Sequence, residues 1–209
     1  MEINVTIVSI ASIIIAILIS MVLHEVMHGV VASHLGDDTA KMSGRLTLNP
    51  LQHIDPFTTV LLPLMLVLVG LPPFGAAKPV PVDYRKLRYG DAGMALVAVA
   101  GPLTNLALAV AFALLFKGVG PLIGAGLSNV LALIVQVNLS FFIFNMIPFP
   151  PLDGSRLLYA VAPEPVQDFM RFIEGMGLSA IVLFMLVIFP LLRPGMIDVL
   201  IRLETILLF

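Results

Sequence analysis

Between Val5 and Val31 the chain reads VTIVSIASIIIAILISMVLHEVMHGVV. A helix that crosses the hydrocarbon core of a bilayer needs about 20 mostly apolar residues at a rise of about 1.5 Å each, and this run is long enough. Its second half carries His24-Glu25-Val26-Met27-His28 where further apolar residues would be expected. Imidazoles at positions i and i+4 lie on one helix face, one turn apart, where both can reach the same cation. Glu25 stands beside them. Two histidines and a glutamate that merely face neighbouring helices or water are common in soluble proteins. Inside a membrane helix ionisable groups cost about 3 kcal/mol each, and they are retained for ion or substrate chemistry. His24 is about 20 residues into the run, which puts it below the membrane surface.

The rest of the chain agrees with a membrane setting. Of its 209 residues, 59% are apolar and 11% charged, and the mean hydropathy is +1.08, far outside the range of soluble domains. The formal net charge of -2 offers no basic surface for nucleic acid and no excess for a polyanionic partner. Cysteine is absent, so a metal must be held by His, Asp or Glu. The N-terminus has neither a basic region nor a small-residue cleavage site, and is expected to stay as a membrane helix. Ala92 to Phe116, Leu127 to Ile147 and Met176 to Leu192 are further candidate spans. The run Phe57 to Leu71 contains Pro63 and is closed by Pro72 and Pro73, so it is expected to dip into the membrane without crossing. Met196 to Phe209 carries Asp198, Arg202 and Glu204 and reads as an interfacial or tilted terminal helix. Lys41 to Pro50 has strand-like alternation and turn residues, and Pro72 to Val82 is Pro-rich and extended. With no internal repeat or linker, the expectation is an all-α polytopic membrane protein of about five to six membrane segments. These surround a three-helix core, with a short β-hairpin or re-entrant region after the first helix. Residues 1–209 are expected to form one domain, with the catalytic core at about 5–161 and C-terminal helices at 176–209.

A catalytic zinc usually has three protein ligands and one position open to water, so a third ligand must come from elsewhere. His34 and His53 follow the first helix, and Asp153 lies in Asn145-Met-Ile-Pro-Phe-Pro-Pro-Leu-Asp-Gly154. Asp153 is preferred. Pro148, Pro150 and Pro151 must break the preceding helix, and the freed backbone groups are tolerable at membrane depth only beside protein or a water-filled cavity. Alone, Asp153-Gly154 would read as a turn or an N-cap. Zinc lowers the pKa of bound water to about 7, and a neighbouring carboxylate such as Glu25 can take its proton as the oxygen attacks a carbonyl. That is the chemistry of a metallopeptidase.

These motifs, taken in order, resemble the site-2 proteases, a family of intramembrane zinc metalloproteases, and in particular its short prokaryotic members. The matching residues are His24-Glu25-x-x-His28-Gly29, Ala100-Gly101-Pro102-Leu103-Thr104-Asn105 and Asn145-x-x-Pro148-x-x-Pro151-Leu152-Asp153-Gly154. Gly44 to Pro50, His53-Ile54-Asp55-Pro56 and Ala77-Lys78-Pro79-Val80-Pro81-Val82 resemble the short subgroup as well. The resemblance implies one zinc ion held by His24, His28 and Asp153, Glu25 as catalytic base, and Asn145 near the substrate carbonyl. Asn105, His53 and Lys78 match recurrent positions and are expected to order the site or its loops, although for Asn105 an interhelical hydrogen bond is the plainer alternative. It also implies substrates that are single-span membrane proteins, such as tethered regulators or signal-peptide remnants, usually cut once beforehand. At this length no PDZ insertion or nucleotide-binding module is expected. Ala76 stands where the subgroup often has an aromatic residue.

For His24 and His28 to meet Asp153, the helices ending at Val31 and Ile147 must run parallel, which again keeps Phe57 to Leu71 from crossing. Lys41, Arg45, Lys78, Arg85, Lys86, Arg88, Arg156 and Arg171 then share one side, and Lys117 and Arg193 the other. By the positive-inside rule the larger group is cytoplasmic. The expected product is a multi-pass protein of the cell membrane with an extracytoplasmic N-terminus and its metal nearer the cytoplasmic face. Met42 to Leu48, or the segment near Asn145, would hold an unwound substrate as an added strand. A metal transporter or channel is the rival class, opposed by the base-like Glu25 and the lack of an inverted repeat. An inactive relative that binds membrane proteins is a second rival, opposed by four filled catalytic positions.

Overall fold

The computed structural model describes residues 2–68, 70 and 75–209, and the side chains of these from residue 10 onward. The opening apolar run forms α1 (Glu2–His34), followed by one turn, α2 (Thr39–Met42). A π-helical turn at Pro56–Leu61 leads into α3 (Leu62–Leu68). Two long helices come next, α4 (Gly90–Val119) and α5 (Gly124–Asn145). Beyond the proline-rich turn are α6 (Gly154–Val161) and α7 (Glu164–Gly175). The chain ends in α8 (Leu178–Leu183) and α9 (Phe189–Leu208), joined through a π-helical stretch, Phe184–Ile188.

Among the described residues, four helical stretches are long and apolar enough to cross a membrane: Ile10–His34, Gly90–Leu122, Gly124–Asn145 and Leu178–Leu208. The last corrects the sequence reading, which divided it into a span at 176–192 and a separate terminal helix at 196–209. Pro194 lies inside α9 without ending it. The charges that suggested an interfacial segment are partly neutralised within the helix, where Arg202 Nε donates to Asp198 at 2.8 Å one turn earlier.

Pro56–Leu68 is apolar but too short to cross. Its flanks meet again: Ala76 N–H donates to the Thr58 carbonyl at 3.1 Å, and the Thr59 hydroxyl donates to the Ala76 carbonyl at 2.7 Å. The two flanks of the run 57–71 therefore lie side by side; residues 69 and 71–74 lie outside the described residues. The hairpin expected near 41–50 is absent, since the described residues contain no strand. Side chains take the backbone partners that a ladder would have used. The Thr47 carbonyl is bonded by His53 Nε2 at 2.8 Å, and Asn49 Oδ1 accepts from Leu51 N–H at 3.1 Å.

α4 packs against α1, α5, α6 and α9. Small residues on α4 permit this close approach: Ala109 and Ala113 form a buried cluster with Val135 and Leu139 of α5, against which Leu200, Leu203 and Leu207 of α9 pack. Outward on α1, Ile10, Ile14, Ile15 and Ile19 are exposed, a surface suited to lipid. A second cluster fixes the turn after α5. Phe184, 2% exposed, packs its ring against Phe149 at 5.3 Å, Phe144 at 5.8 Å and Phe189 at 6.3 Å between centroids. Ile147 and Leu152 belong to the same cluster, so the segment that carries Asp153 is held against α8 and α9.

Beyond α1, Asp37 is fully buried and ties two loops together. Its Oδ1 accepts from Thr39 N–H at 3.0 Å and from the Thr39 hydroxyl, and its Oδ2 accepts from Asp83 N–H at 2.7 Å. Burial pushes this carboxyl up, but the Thr39 hydroxyl, the two backbone donors and Lys86 outweigh it and leave the group below the usual carboxylate range.

Phe184→Ala should cost about 3 to 5 kcal/mol through the cavity it opens, read as a lower unfolding midpoint in detergent. Asp37→Asn replaces an acceptor with a donor facing donors and should cost about 2 kcal/mol at pH 7. Because the folded carboxyl titrates below the unfolded value of about 3.9, its contribution is complete above that pH and fades as pH falls through the folded value. The difference in midpoint between wild type and Asp37→Asn should therefore narrow below about pH 4.

Candidate metal centre

Ser20, His24 and His28 recur every fourth residue along one face of α1, as do Val97, Gly101 and Asn105 along α4, and these two faces meet. His28 Nδ1 lies 2.8 Å from the Val97 carbonyl, which can only accept, so Nδ1 carries the proton. His24 Nδ1 lies 2.6 Å from Asn105 Oδ1. The Asn105 amide is oriented by its other end, which donates to Asn138 Oδ1 at 3.0 Å and to the Ser20 carbonyl at 3.3 Å. Each imidazole is thereby fixed with Nε2 turned inward as the potential ligand.

The inward atoms converge. The two Nε2 atoms are 3.0 Å apart, and Asp153 Oδ2 is 3.0 Å from that of His24 and 3.5 Å from that of His28. Zinc–ligand bonds of about 2.1 Å in a tetrahedron place ligand atoms about 3.4 Å from one another, so the triangle has the right size. Among the described residues these three form the group of His, Asp and Glu able to hold a metal ion. His24 and His28 are 6% and 8% exposed, so little water screens the mutual repulsion of their lone pairs and the carboxylate.

Backbone placement makes room for this cluster. A Cβ at Gly101 would lie 2.4 Å from His28 Nε2 and 2.6 Å from His24 Nε2, in the space of the ligand atoms themselves. Asp153 stands at the N-terminal boundary of α6 but makes no capping hydrogen bond, so the N-cap alternative does not describe its side chain. The Phe141 ring stands 6.5 Å from that of His24 and forms part of the wall.

Glu25 is half-buried, and its Oε2 accepts from Val80 N–H at 2.9 Å. Asn145, at the end of α5, donates to the Phe141 carbonyl at 3.0 Å, and no described contact joins it to the three ligands. His53 is fully buried outside the cluster, its Nε2 on the Thr47 carbonyl and its own carbonyl accepting from Lys78 N–H at 2.8 Å. His34 is exposed and bonds the Val30 carbonyl. Sequence reasoning missed Asn138, which is 1% exposed and holds Asn105. An asparagine in the middle of the apolar run of α5 was the available signal.

A buried His–His–Asp set able to hold a metal ion, beside helices long enough to cross a bilayer, places the protein in the class of membrane metalloproteins. Comparison with known proteins agrees with that class. The profile described as Peptidase family M50 matches residues 115–189. The chain is 38% identical over 195 residues to "Putative zinc metalloprotease YwhC" of Bacillus subtilis, covering 87% of this chain and 86% of that protein. It is 34% identical over 148 residues to "Putative zinc metalloprotease Rip2" of Mycobacterium tuberculosis, covering 68% of this chain and 53% of the relative, about half its length. A third relative, "Putative zinc metalloprotease MJ0611" of Methanocaldococcus jannaschii, is 35% identical over 85 residues, 36% of this chain and 42% of its own. No solved structure shows significant similarity to the chain. The chain belongs to peptidase family M50, the site-2 protease family.

Gly101→Ala should leave the purified protein without retained metal, measured as zinc per chain by elemental analysis. Asn105→Ala should weaken metal affinity by about 10- to 100-fold in competition with a chromogenic chelator, the usual effect of removing a partner that orients a ligand.

Proposed function

We propose that the protein is an intramembrane endopeptidase with one zinc ion, bound by His24, His28 and Asp153, and with Glu25 as its base. Its substrates are single-span membrane proteins or signal-peptide remnants within the lipid bilayer. The observation that carries this reading is the convergence of three ligand atoms within 3.0 to 3.5 Å, with the Glu25 carboxylate next in sequence to one of the ligands.

A zinc ion bound there would act as a Lewis acid on the substrate carbonyl and increase the acidity of water beside it. Glu25 has one carboxylate oxygen engaged by Val80 N–H, which leaves Oε1 to take the proton of the attacking water and pass it to the departing amide nitrogen. Asn105 and Val97 keep both imidazoles in the tautomer that ligates through Nε2. A helical substrate hides its carbonyls in its own hydrogen bonds and must unwind first. Within residues 42–48 the N–H groups of 42–45 and the Thr47 carbonyl are bonded within the chain, so an unwound strand would be added along 46–48, and Asn145 meets the substrate carbonyl once its amide leaves Phe141.

The protein is oriented with its N-terminus outside the cytoplasm and its metal nearer the cytoplasmic face, a reading supported by the lysines and arginines between α1 and α4. The native chain lacks cysteine, so single introduced thiols report without background. With an impermeant maleimide on intact cells, Glu2→Cys should react and Lys86→Cys should react only after permeabilisation; the reverse pattern overturns the orientation.

Purified wild type should cleave a tagged single-span substrate and lose that activity to a chelator. Glu25→Gln should retain its zinc while cleavage falls by at least about 100-fold, the scale of general-base catalysis. Metal passage across liposomes by both proteins, without cleavage of a substrate panel, would replace this reading with a transporter.

A further inference from the structure

The segment Lys78-Pro79-Val80-Pro81-Val82 runs extended across α1, and the assignment of Glu25 leaves its composition unexplained. Proline has no N–H and a fixed φ, so Pro79 and Pro81 make Val80 the sole backbone donor between the Lys78 and Val82 amides. That donor is the one on Glu25 Oε2, at 2.9 Å. The Val80 side chain is 7% exposed and rests on α1 one turn beyond Glu25. A Cβ at Gly29 would lie 3.0 Å from Val80 Cγ1 and 2.5 Å from Leu46 Cδ2, so the glycine after His28 gives the strap its seat.

The strap is clasped upstream. Lys78 N–H donates to the His53 carbonyl at 2.8 Å, and the Lys78 carbonyl accepts from Arg45 Nη2 at 2.8 Å. Arg45 is 9% exposed, its Nε has no hydrogen-bond partner among the described residues, and none of the described ion pairs includes it. Burying a guanidinium for the sake of one backbone carbonyl is a costly way to secure a loop. It is explicable if the loop must be held in register with something else. Two residues beyond the clasp, that something is the Glu25 carboxylate.

We propose that Arg45 is a positioning residue, which holds the strap at Lys78 so that Val80 N–H keeps the Glu25 carboxylate turned toward the metal centre. The proposal rests on the reading of Glu25 as general base. His53 serves the same clasp through its carbonyl, and its buried ring secures the preceding loop at Thr47.

The test uses full-length protein in detergent with Arg45→Gln, Arg45→Lys and Glu25→Gln. Hydrogen exchange over residues 77–82 reports on the strap without requiring activity, and kcat, KM and zinc content report on the site. Arg45→Gln should speed exchange at the Val80 amide by about tenfold or more. It should lower kcat by about 100-fold, the scale of a misplaced catalytic group, with KM and zinc content as in the wild type. Arg45→Lys, which can still donate to the Lys78 carbonyl, should recover most of both effects. Wild-type exchange in Arg45→Gln overturns the proposal, as does faster exchange with unchanged kcat, which would make Arg45 a loop anchor only. Either result with Glu25→Gln inactive leaves the endopeptidase reading standing, whereas full cleavage by Glu25→Gln removes that reading and this proposal with it.

Discussion

Two imidazole nitrogens and a carboxylate oxygen held within 3.0 to 3.5 Å of one another, with the histidines almost wholly buried, need positive charge among them. In a low-dielectric interior that demand is far stronger than at a surface. Much of the architecture follows from it. The set requires the ends of α1 and α5 to lie at one level, and so the two helices to run parallel. It requires α4 to present a glycine where any side chain would fill the ligand space. It also requires the turn after α5 to be rigid, which the aromatic cluster around Phe184 provides. Within α4, the three residues facing the site divide the work: the Val97 carbonyl and the Asn105 amide orient one imidazole each, and Gly101 makes room.

Parallel α1 and α5 in turn constrain the connection between α1 and α4. That connection includes the 13-residue apolar run Pro56–Leu68, too short to cross a membrane, and its flanks are pinned to each other by Thr58, Thr59 and Ala76. The same connection delivers Lys78 to His53 and Arg45, and Val80 to Glu25. The pinned run and the strap are one device, whose beginning and end are both secured close to α1.

The spacing of His24, Glu25 and His28 was legible because helical periodicity turns sequence distance directly into geometry. Asp153 was legible because prolines mark a helix that must end. The hairpin was misread: alternation in Lys41 to Pro50 looks like a strand, but nothing local says that the Thr47 carbonyl will go to the His53 side chain. The final span was divided wrongly because Arg202 and Asp198 were counted as separate charges rather than as an i, i+4 pair. Asn138 escaped notice, since its partner lies 33 positions away and no local pattern encodes that meeting. The Val97 carbonyl could not be found at all, because every residue has one. Side-chain chemistry was readable in this sequence, and backbone chemistry was not.

The two pinned points of the connection differ in what they would allow over the course of descent. Thr59 and Ala76 form a closed base, so residues can be gained or lost between them while the base, and everything beyond it, stays put. Between Lys78 and Val80 there is no such slack. One inserted residue would shift the donor along the strap by about 3.3 Å and rotate it to the opposite side, away from Glu25. A lineage of such proteins can thus diversify the part beyond that base while a two-residue ruler, set by two prolines, stays constant beside the site.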